Sequence, residues 1–148
     1  MNENKIAIMT DSCSDVPRNL LERFHIYEMA LSINYKDRSY RDRVDITPEE
    51  VYENLQIEIP HTSLPTIGEI HETIEKIIAD GYDQIIIPVI SSGLSGTFKA
   101  IEMVCEDFKN IKTKVIDTKN ITIGSGFLSI YAAQLVEKNF NFEEIVKK

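Results

Sequence analysis

The sequence predicts an α/β fold with an open, mainly parallel sheet and helices on both faces. Apolar strand-like runs alternate with helical patterns along the chain. The run 85–89 is apolar without alternation, which is typical of a parallel strand covered on both faces. Polar loops follow three predicted strands, at 10–15, 91–97 and 117–124. In such sheets ligands bind outside the carboxyl ends of the strands, so these loops are where we look for a site.

Strand and helix signals alternate from the start of the chain. Residues 5–9 form a short apolar strand candidate. Pro17 predicts a helix to about Phe24, because proline suits the first helical turn. The sequence predicts a single strand, the second of the chain, over residues 25–35. Residues 35–40 are predicted to turn back toward a short partner strand.

Two capping boxes mark the next helix starts. Thr47 and Glu50 form the first, with Pro48 at the first helical position, and predict a helix to about Leu55. The second box begins at Thr66, and the isoleucines that follow it fall at helical spacing until Gly81.

The second half of the chain repeats the alternation. A helix follows the loop 91–97, Val115 to Asp117 form a buried strand, and 125–138 form a helix. Asn141 begins another helix of little more than one turn, which is barely stable alone. We expect either that this helix docks on the core or that the chain is the first part of a longer protein.

Composition excludes several classes of partner. The 148 residues fit one domain, and a formal charge of -8 disfavours nucleic acid and anionic membranes. Cys13 and Cys105 are too few for a disulfide scaffold. The sequence has neither the pattern of a signal peptide nor an apolar stretch of membrane-spanning length, so we expect a cytoplasmic protein.

The loop 91–97 has the composition of an anion site. Its glycines allow close backbone approach, and amides at the following helix start favour negative charge. Thr97 and Phe98 follow Gly96 where a Walker motif needs lysine, so a nucleotide is disfavoured and one small phosphate or carboxylate is favoured. The alternative is that the glycines only make the turn and the serines cap the helix.

Enzyme chemistry has weaker support in the sequence. Cys13 and Arg18 are separated by four residues where the thiolate phosphatase loop needs five, and Asp15 comes too late to assist Asp11 as a nucleophile. The three histidines have no acidic neighbour in a strand-end loop, and no cluster has metal-ligand spacing. We therefore assign no catalytic residue and no metal site.

Four motifs carry a resemblance to a known family. They are the runs 10–17, 40–42, 62–66 and 91–97, and they occur in the order and separation seen in DegV-family proteins. The chain departs from the family pattern at Cys13, where threonine is usual, at Leu64, where glutamine is frequent, and at Arg43, where glycine commonly follows the aspartate.

The resemblance implies a fatty-acid-binding protein. Such proteins are similar in role to the subunit of bacterial fatty acid kinase that presents a fatty acid carboxylate to a separate ATP-dependent kinase. Family members carry a second α/β domain, so residues 1–148 resemble the N-terminal domain alone. The resemblance implies that the bound ligand is a fatty acid, with no cofactor, and that the partner is the kinase catalytic subunit. We also expect the chain to self-associate as a homo-oligomer or to trap a hydrophobic ligand.

The resemblance and the residue types together give a candidate carboxylate site. Its predicted ligands are hydroxyl and backbone donors, at Thr62, Ser63, Ser92, Ser95, Gly96 and Thr97. Asp11, Ser12 and Cys13 are expected in a loop near that site. The alternative function is a small-molecule phosphotransferase or phosphatase-like enzyme related to the dihydroxyacetone kinases.

Overall fold

A computed structural model describes residues 2–148. The strands are β1 (Ile6–Asp11), β2 (Ile26–Met29), β3 (Ser32–Asn34), β4 (Ser39–Arg41), β5 (His61–Ser63), β6 (Gln84–Val89) and β7 (Lys112–Asp117). The α-helices are α1 (Arg18–Phe24), α2 (Pro48–Asn54), α3 (Ile67–Ala79), α4 (Thr97–Cys105), α5 (Ile123–Glu137) and α6 (Phe142–Lys147). A short 3₁₀ helix, Ser12–Ser14, follows β1.

The strands form two sheets. The larger is fully parallel, with the strand order β2-β1-β6-β7. The smaller is antiparallel, with the order β4-β3-β5. The parallel sheet confirms the predicted fold class, whereas no strand was predicted for the residues of β5.

Helices cover both faces of the parallel sheet. Isoleucines of α3 and α4 pack with Ile85 and Ile87 on one face, and Ile86 joins α1, α5 and α6 on the other. The successive isoleucines of β6 therefore all lie in a core, which explains why this strand shows no polar alternation.

The predicted single strand 25–35 was wrong. The chain forms β2 in the parallel sheet, leaves it, and forms β3 in the antiparallel sheet. At the break the Leu31 N–H donates to Ser12 Oγ at 3.1 Å, and the Leu31 carbonyl accepts from the Asp42 N–H at 2.8 Å. Both backbone groups of Leu31 are thus bonded outside the parallel ladder, and the chain can change sheets without losing them.

The helix boundaries follow the sequence signals closely. The capping boxes at Thr47 and Thr66 are both formed, and Gly81 adopts a φ of 97° just after α3. Pro17 is the N-cap of α1 instead of its first helical residue. The short helix α6 docks, since Phe142 and Ile145 are buried in the core beside α5.

Candidate functional site

The three predicted loops meet at the carboxyl edge of the parallel sheet. The Ile90 N–H donates to Asp11 Oδ2 at 2.8 Å, which links the ends of β6 and β1. The Ser91 N–H donates to the Asn120 carbonyl at 2.9 Å. The Thr122 N–H donates to the Cys13 carbonyl at 2.8 Å, which closes the ring of contacts between the loops. The three loops that follow predicted strands in the sequence thus share one edge of the sheet.

Asp11 serves the backbone of this edge. Its side chain is fully buried, and burial raises its pKa to about 6 against the opposing effect of the Ile90, Cys13 and Ser14 amides. Sequence reasoning assigned Asp11 to a loop, but it is the last residue of β1. Because its Oδ2 accepts a hydrogen bond from the Ile90 N–H, the Asp11 carboxylate fixes the end of β1 relative to the end of β6.

Ser12 and Cys13 also have defined roles in the 3₁₀ helix. Ser12 is buried, and its hydroxyl accepts the Leu31 N–H described above. Burial, followed by the negative charges of Asp11, Asp42 and Asp15, raises the pKa of the Cys13 thiol to about 12. The thiol therefore stays protonated at neutral pH, and a thiol is a poor nucleophile.

The loop 91–97 is organised by its own serines. The N–H groups of Leu94 and Ser95 donate to the Ser91 carbonyl at 2.9 and 3.1 Å. Ser95 Oγ lies 2.8 Å from Thr97 Oγ1 and accepts the Thr97 N–H at 3.2 Å. Thr97 is fully buried, whereas Ser95 is half-buried and Gly96 is exposed as the N-cap of α4. Of the two residues that carry a hydroxyl at the start of this helix, Ser95 is the more accessible to solvent.

Ser92 is held by a residue that sequence reasoning did not single out. Its N–H donates to Asp117 Oδ1 at 3.1 Å, and its hydroxyl donates to Asp117 Oδ2. Lys119, and then Ser92, hold the pKa of Asp117 well below its usual range. The available signal was the position of Asp117 at the end of a predicted strand, but its partner 25 residues away was not visible in the sequence.

The strand β5 brings the second set of predicted ligands to the same edge. Thr62 and Ser63 are exposed and pair with Ile33 and Ser32 of β3. Ser63 Oγ accepts a hydrogen bond from Asn34 Nδ2 at 3.0 Å. A side-chain carbon added at Gly96 would lie 3.8 Å from Leu64 Cδ2, so the residue after β5 contacts the loop 91–97. The exposed hydroxyl of Thr62 and the half-buried hydroxyl of Ser95 thus belong to adjoining segments.

Arg43 adopts a left-handed conformation beside this edge. Its φ is 60°, a backbone state that glycine reaches without steric cost. This explains why a glycine suits the position. In this chain the arginine side chain pairs with Asp15, which follows the 3₁₀ helix. The ion pair ties the segment after β4 to the residue that follows the 3₁₀ helix, and sequence reasoning did not predict it.

Exposed apolar side chains lie at the candidate site and elsewhere on the surface of the domain. Leu94 lies within the loop 91–97 and Leu64 lies beside Gly96. Ile57 and Ile59 precede β5 and are 84% and 73% exposed. Phe127 of α5 is 64% exposed. Leu64 and Leu94 offer apolar surface to a ligand next to the polar edge, and the other three offer apolar surface to a partner.

Two kinds of feature are missing from residues 2–148. No group of three or more His, Cys, Asp or Glu side chains there could hold a metal ion. Within the same residues, no helix has the length and apolar character needed to cross a membrane.

The fold is that of an α/β domain whose candidate ligand site lies at the carboxyl edge of a parallel sheet. A family model with the description "Uncharacterised protein, DegV family" matches residues 5–148, and the chain belongs to the DegV family. A DegV domain-containing protein of Clostridium acetobutylicum is 44% identical over 144 residues. That match covers 97% of this chain and 51% of the relative, so the chain spans about half the length of the curated relatives it matches.

Solved DegV structures have the same fold. DegV of Bacillus subtilis, a fatty acid binding protein, is 30% identical with a TM-score of 0.91, covering 99% of this chain and 52% of that one. A fatty-acid-binding DegV family protein of Thermus thermophilus is 28% identical with a TM-score of 0.87, covering 99% of this chain and 51% of that one.

Proposed function

We propose that this chain holds the carboxylate of a long-chain fatty acid at the strand-end edge and presents it to a partner kinase for acyl-phosphate formation. The observation that carries this proposal is the meeting of β5 with the loop 91–97 at the contact of Leu64 with Gly96. The fatty acid binding described for the Bacillus subtilis and Thermus thermophilus proteins supports the ligand class.

The side chains at this edge suit a carboxylate head group. A carboxylate needs several donors at about 2.7–2.9 Å, and hydroxyls together with first-turn amides supply them. Thr62 offers the hydroxyl of an exposed residue, Ser95 offers that of a half-buried residue, and Gly96 offers its backbone at the start of α4. Ser63 takes part beside its bond to Asn34, whereas Ser92 and Thr97 shape the loop through Asp117 and Ser95. Neutral donors hold the head group without a fixed cation that would resist its transfer.

The acyl chain supplies most of the affinity. About 14 buried methylenes at roughly 0.8 kcal/mol each amount to on the order of 11 kcal/mol before ordering costs. In this chain the apolar side chains next to the edge, such as Leu64 and Leu94, are exposed and enclose no tunnel by themselves. Binding by residues 1–148 is therefore weaker than binding by a two-domain relative that surrounds the tail. Since the kinase consumes ATP, we place this role in the cytoplasm.

The first test removes one donor at a time. Ser95→Ala and Thr62→Val each remove one charge-assisted hydrogen bond, and each should weaken fatty acid binding by about 1.5–3 kcal/mol. Thr113→Val is the matched control, because Thr113 lies at the amino end of β7, at the opposite edge of the parallel sheet from the candidate site. Binding is measured with a fluorescent fatty acid, and folding by circular dichroism. If both site variants bind the fatty acid as tightly as the wild type, the carboxylate is not held by Thr62 and Ser95.

The second test looks for the ligand and its product. Native mass spectrometry of the purified chain should show a co-purified fatty acid. With an ATP-dependent fatty acid kinase subunit added, hydroxylamine should trap the acyl phosphate as a hydroxamate. A phosphorylated Asp11 or Cys13 after incubation with a phosphate ester would instead support the phosphotransferase alternative. The buried carboxylate of Asp11 and the raised pKa of Cys13 both argue against that outcome.

A further inference from the structure

Leu64 is an apolar side chain that adjoins both halves of the proposed head-group site. It lies two residues after Thr62 of β5, and its Cδ2 lies 3.8 Å from the position of a side-chain carbon added at Gly96, the N-cap of α4. That distance is ordinary van der Waals contact, so a leucine methyl group lies directly in front of this glycine. Leu64 is 37% exposed, so part of its side chain remains open to a ligand.

The backbone directs Leu64 to the same side of the chain as Thr62. Thr62 lies in the middle of β5, and Leu64 precedes Pro65, which restricts it to an extended conformation. Successive side chains of an extended chain point to opposite faces, so residues 62 and 64 share one face. The hydroxyl of Thr62 and the methyl groups of Leu64 are therefore neighbours on that face.

The buried side of the site leaves no room for a hydrocarbon chain. Ser91 and Thr97 of the loop 91–97 are buried, and Asp11 and Ser12 at the end of β1 are buried as well. Protein cores are packed as densely as organic crystals, so an acyl chain cannot continue inward from this edge. A fatty acid whose carboxylate is held at this edge must extend outward from it.

The polarity of Leu64 distinguishes between acyl chains. Its methyl groups pack favourably against methylenes and offer no hydrogen bond to a polar substituent. A hydroxyl group pressed against them loses its bonds to water without replacement, which is unfavourable. An apolar wall rejects an added hydroxyl by about a hundredfold at most. Because Leu64 is partly exposed, we expect about tenfold.

We propose that Leu64 is a specificity-determining residue that selects fatty acids with unsubstituted methylenes next to the carboxylate over 3-hydroxy fatty acids. The carboxylate accepts hydrogen bonds from Thr62 and Ser95, and the first carbons of the acyl chain pack against Leu64 as the chain leaves the edge. This assignment rests on the proposed function, because it places the carboxylate at the same edge.

Three matched acids test the assignment on the wild-type chain. Myristate, 3-hydroxymyristate and 3-methylmyristate compete with a fatty acid that carries a fluorophore at its methyl end. A methyl group is similar in size to a hydroxyl group, so the third acid separates polarity from size. We expect 3-hydroxymyristate to bind about tenfold more weakly than myristate, and 3-methylmyristate to bind within about threefold of it.

The outcomes separate this assignment from the proposed function. Equal binding of myristate and 3-hydroxymyristate would overturn the role of Leu64 while leaving fatty acid binding in place. Binding of 3-methylmyristate as weak as that of 3-hydroxymyristate would also overturn it, because the selection would then depend on size. If none of the three acids binds, the proposed function fails and this assignment fails with it.

Variants test the residue itself. Leu64→Gln replaces the methyl groups with an amide and should reduce the preference for myristate over 3-hydroxymyristate to about threefold or less, whereas Leu64→Met should retain it. Leu55→Gln is the matched control, since Leu55 is 43% exposed at the C-cap of α2, and it should keep the wild-type preference. A wild-type preference in Leu64→Gln would contradict the assignment. If Leu64→Gln fails to fold by circular dichroism, the three acids on the wild-type chain still decide the question.

Discussion

At the scale of single residues, the loop 10–15 differs most from the role that its residue types suggest. Aspartate, serine and cysteine are typical catalytic residue types, yet here the side chains of Asp11 and Ser12 and the carbonyl of Cys13 accept hydrogen bonds from backbone N–H groups. Asp11 holds the Ile90 N–H, Ser12 holds the Leu31 N–H, and the Cys13 carbonyl accepts from Thr122. These bonds position the strand ends around the candidate site.

Gly126 is a residue where any side chain is excluded. A side-chain carbon added there would lie 2.2 Å from the Ser14 carbonyl oxygen, because α5 packs directly against the 3₁₀ helix. We expect Gly126→Ala to destabilise the fold by about 2–3 kcal/mol or more through overpacking. Gly68→Ala is the control, since its added carbon has only Thr66 Oγ1 nearby at 3.9 Å. It should stabilise α3 by roughly 0.5–1 kcal/mol. Urea unfolding measures both, and a neutral Gly126→Ala would contradict the packing.

Glu28 makes stability depend on pH. Burial raises its pKa from 4.5 to about 7, so the folded chain keeps a proton that the unfolded chain releases. Its stabilising contribution is present below about pH 4.5 and is lost as the pH rises to about 7. We expect Glu28→Gln to be more stable than the wild type at about pH 8, on the order of 1 kcal/mol, and to show a flatter pH profile. Thermal unfolding at several pH values measures this, and parallel profiles would contradict it.

At the scale of elements, backbone bonding decides where strands begin and end. The chain leaves the parallel sheet after β2 because Leu31 is bonded to Ser12 and Asp42. The strand β3 then pairs with both β4 and β5. This small sheet places Thr62 at the candidate edge. Thr62 therefore reaches the site from the antiparallel sheet and not from a helix or a parallel strand.

The short helix α6 depends on docking. Its capping box at Asn141 orders the first turn, but two buried side chains hold it on the core. Phe142→Ala should cost about 3 kcal/mol or more, because a buried aromatic ring is removed. Tyr52→Ala on α2 is the control, since Tyr52 is 68% exposed and its loss should change stability within about 0.5 kcal/mol. Chemical denaturation compares the two, and hydrogen exchange should show α6 opening first in Phe142→Ala. Equal stability would mean that the helix is not docked in solution.

At the scale of the whole molecule, apolar surface and net charge oppose each other. Ile57, Ile59, Leu94 and Phe127 are all more than 60% exposed. The formal charge of -8 keeps copies of the chain apart. Salt weakens that repulsion while leaving the apolar attraction in place.

We therefore expect the chain to self-associate or to bind hydrophobic molecules, and to do so more strongly at high salt. Sedimentation over a range of concentrations, with and without added salt, measures association, and a hydrophobic dye reports the exposed surface. Ile59→Ser should weaken both signals. Met103→Ser, a change at a 57% exposed residue of α4, should not. A strict monomer at every salt concentration that binds no dye would contradict this expectation.

The sequence by itself determined the features that depend on near neighbours. Helix starts at Thr47 and Thr66 follow from side chains three residues apart, and the apolar run of β6 follows from a strand buried on both faces. The meeting of the three loops at one edge also follows, because parallel strands end together. The identity of the head-group ligands stays a prediction.

Only the tertiary structure decided which polar groups remain free. The bond of Ser92 to Asp117, the burial of Asp11 and the pairing of Arg43 with Asp15 each join segments far apart in the chain. The break between β2 and β3 likewise depends on Ser12, 19 residues away from Leu31. The local conformational propensity of a residue does not depend on whether a distant partner is present. A sequence pattern therefore indicates the residue types at a site but not their distant hydrogen-bond partners. Packing alone selects which of them stay accessible: Thr62, Ser63 and Ser92 are exposed, Ser95 is half-buried and Thr97 is buried.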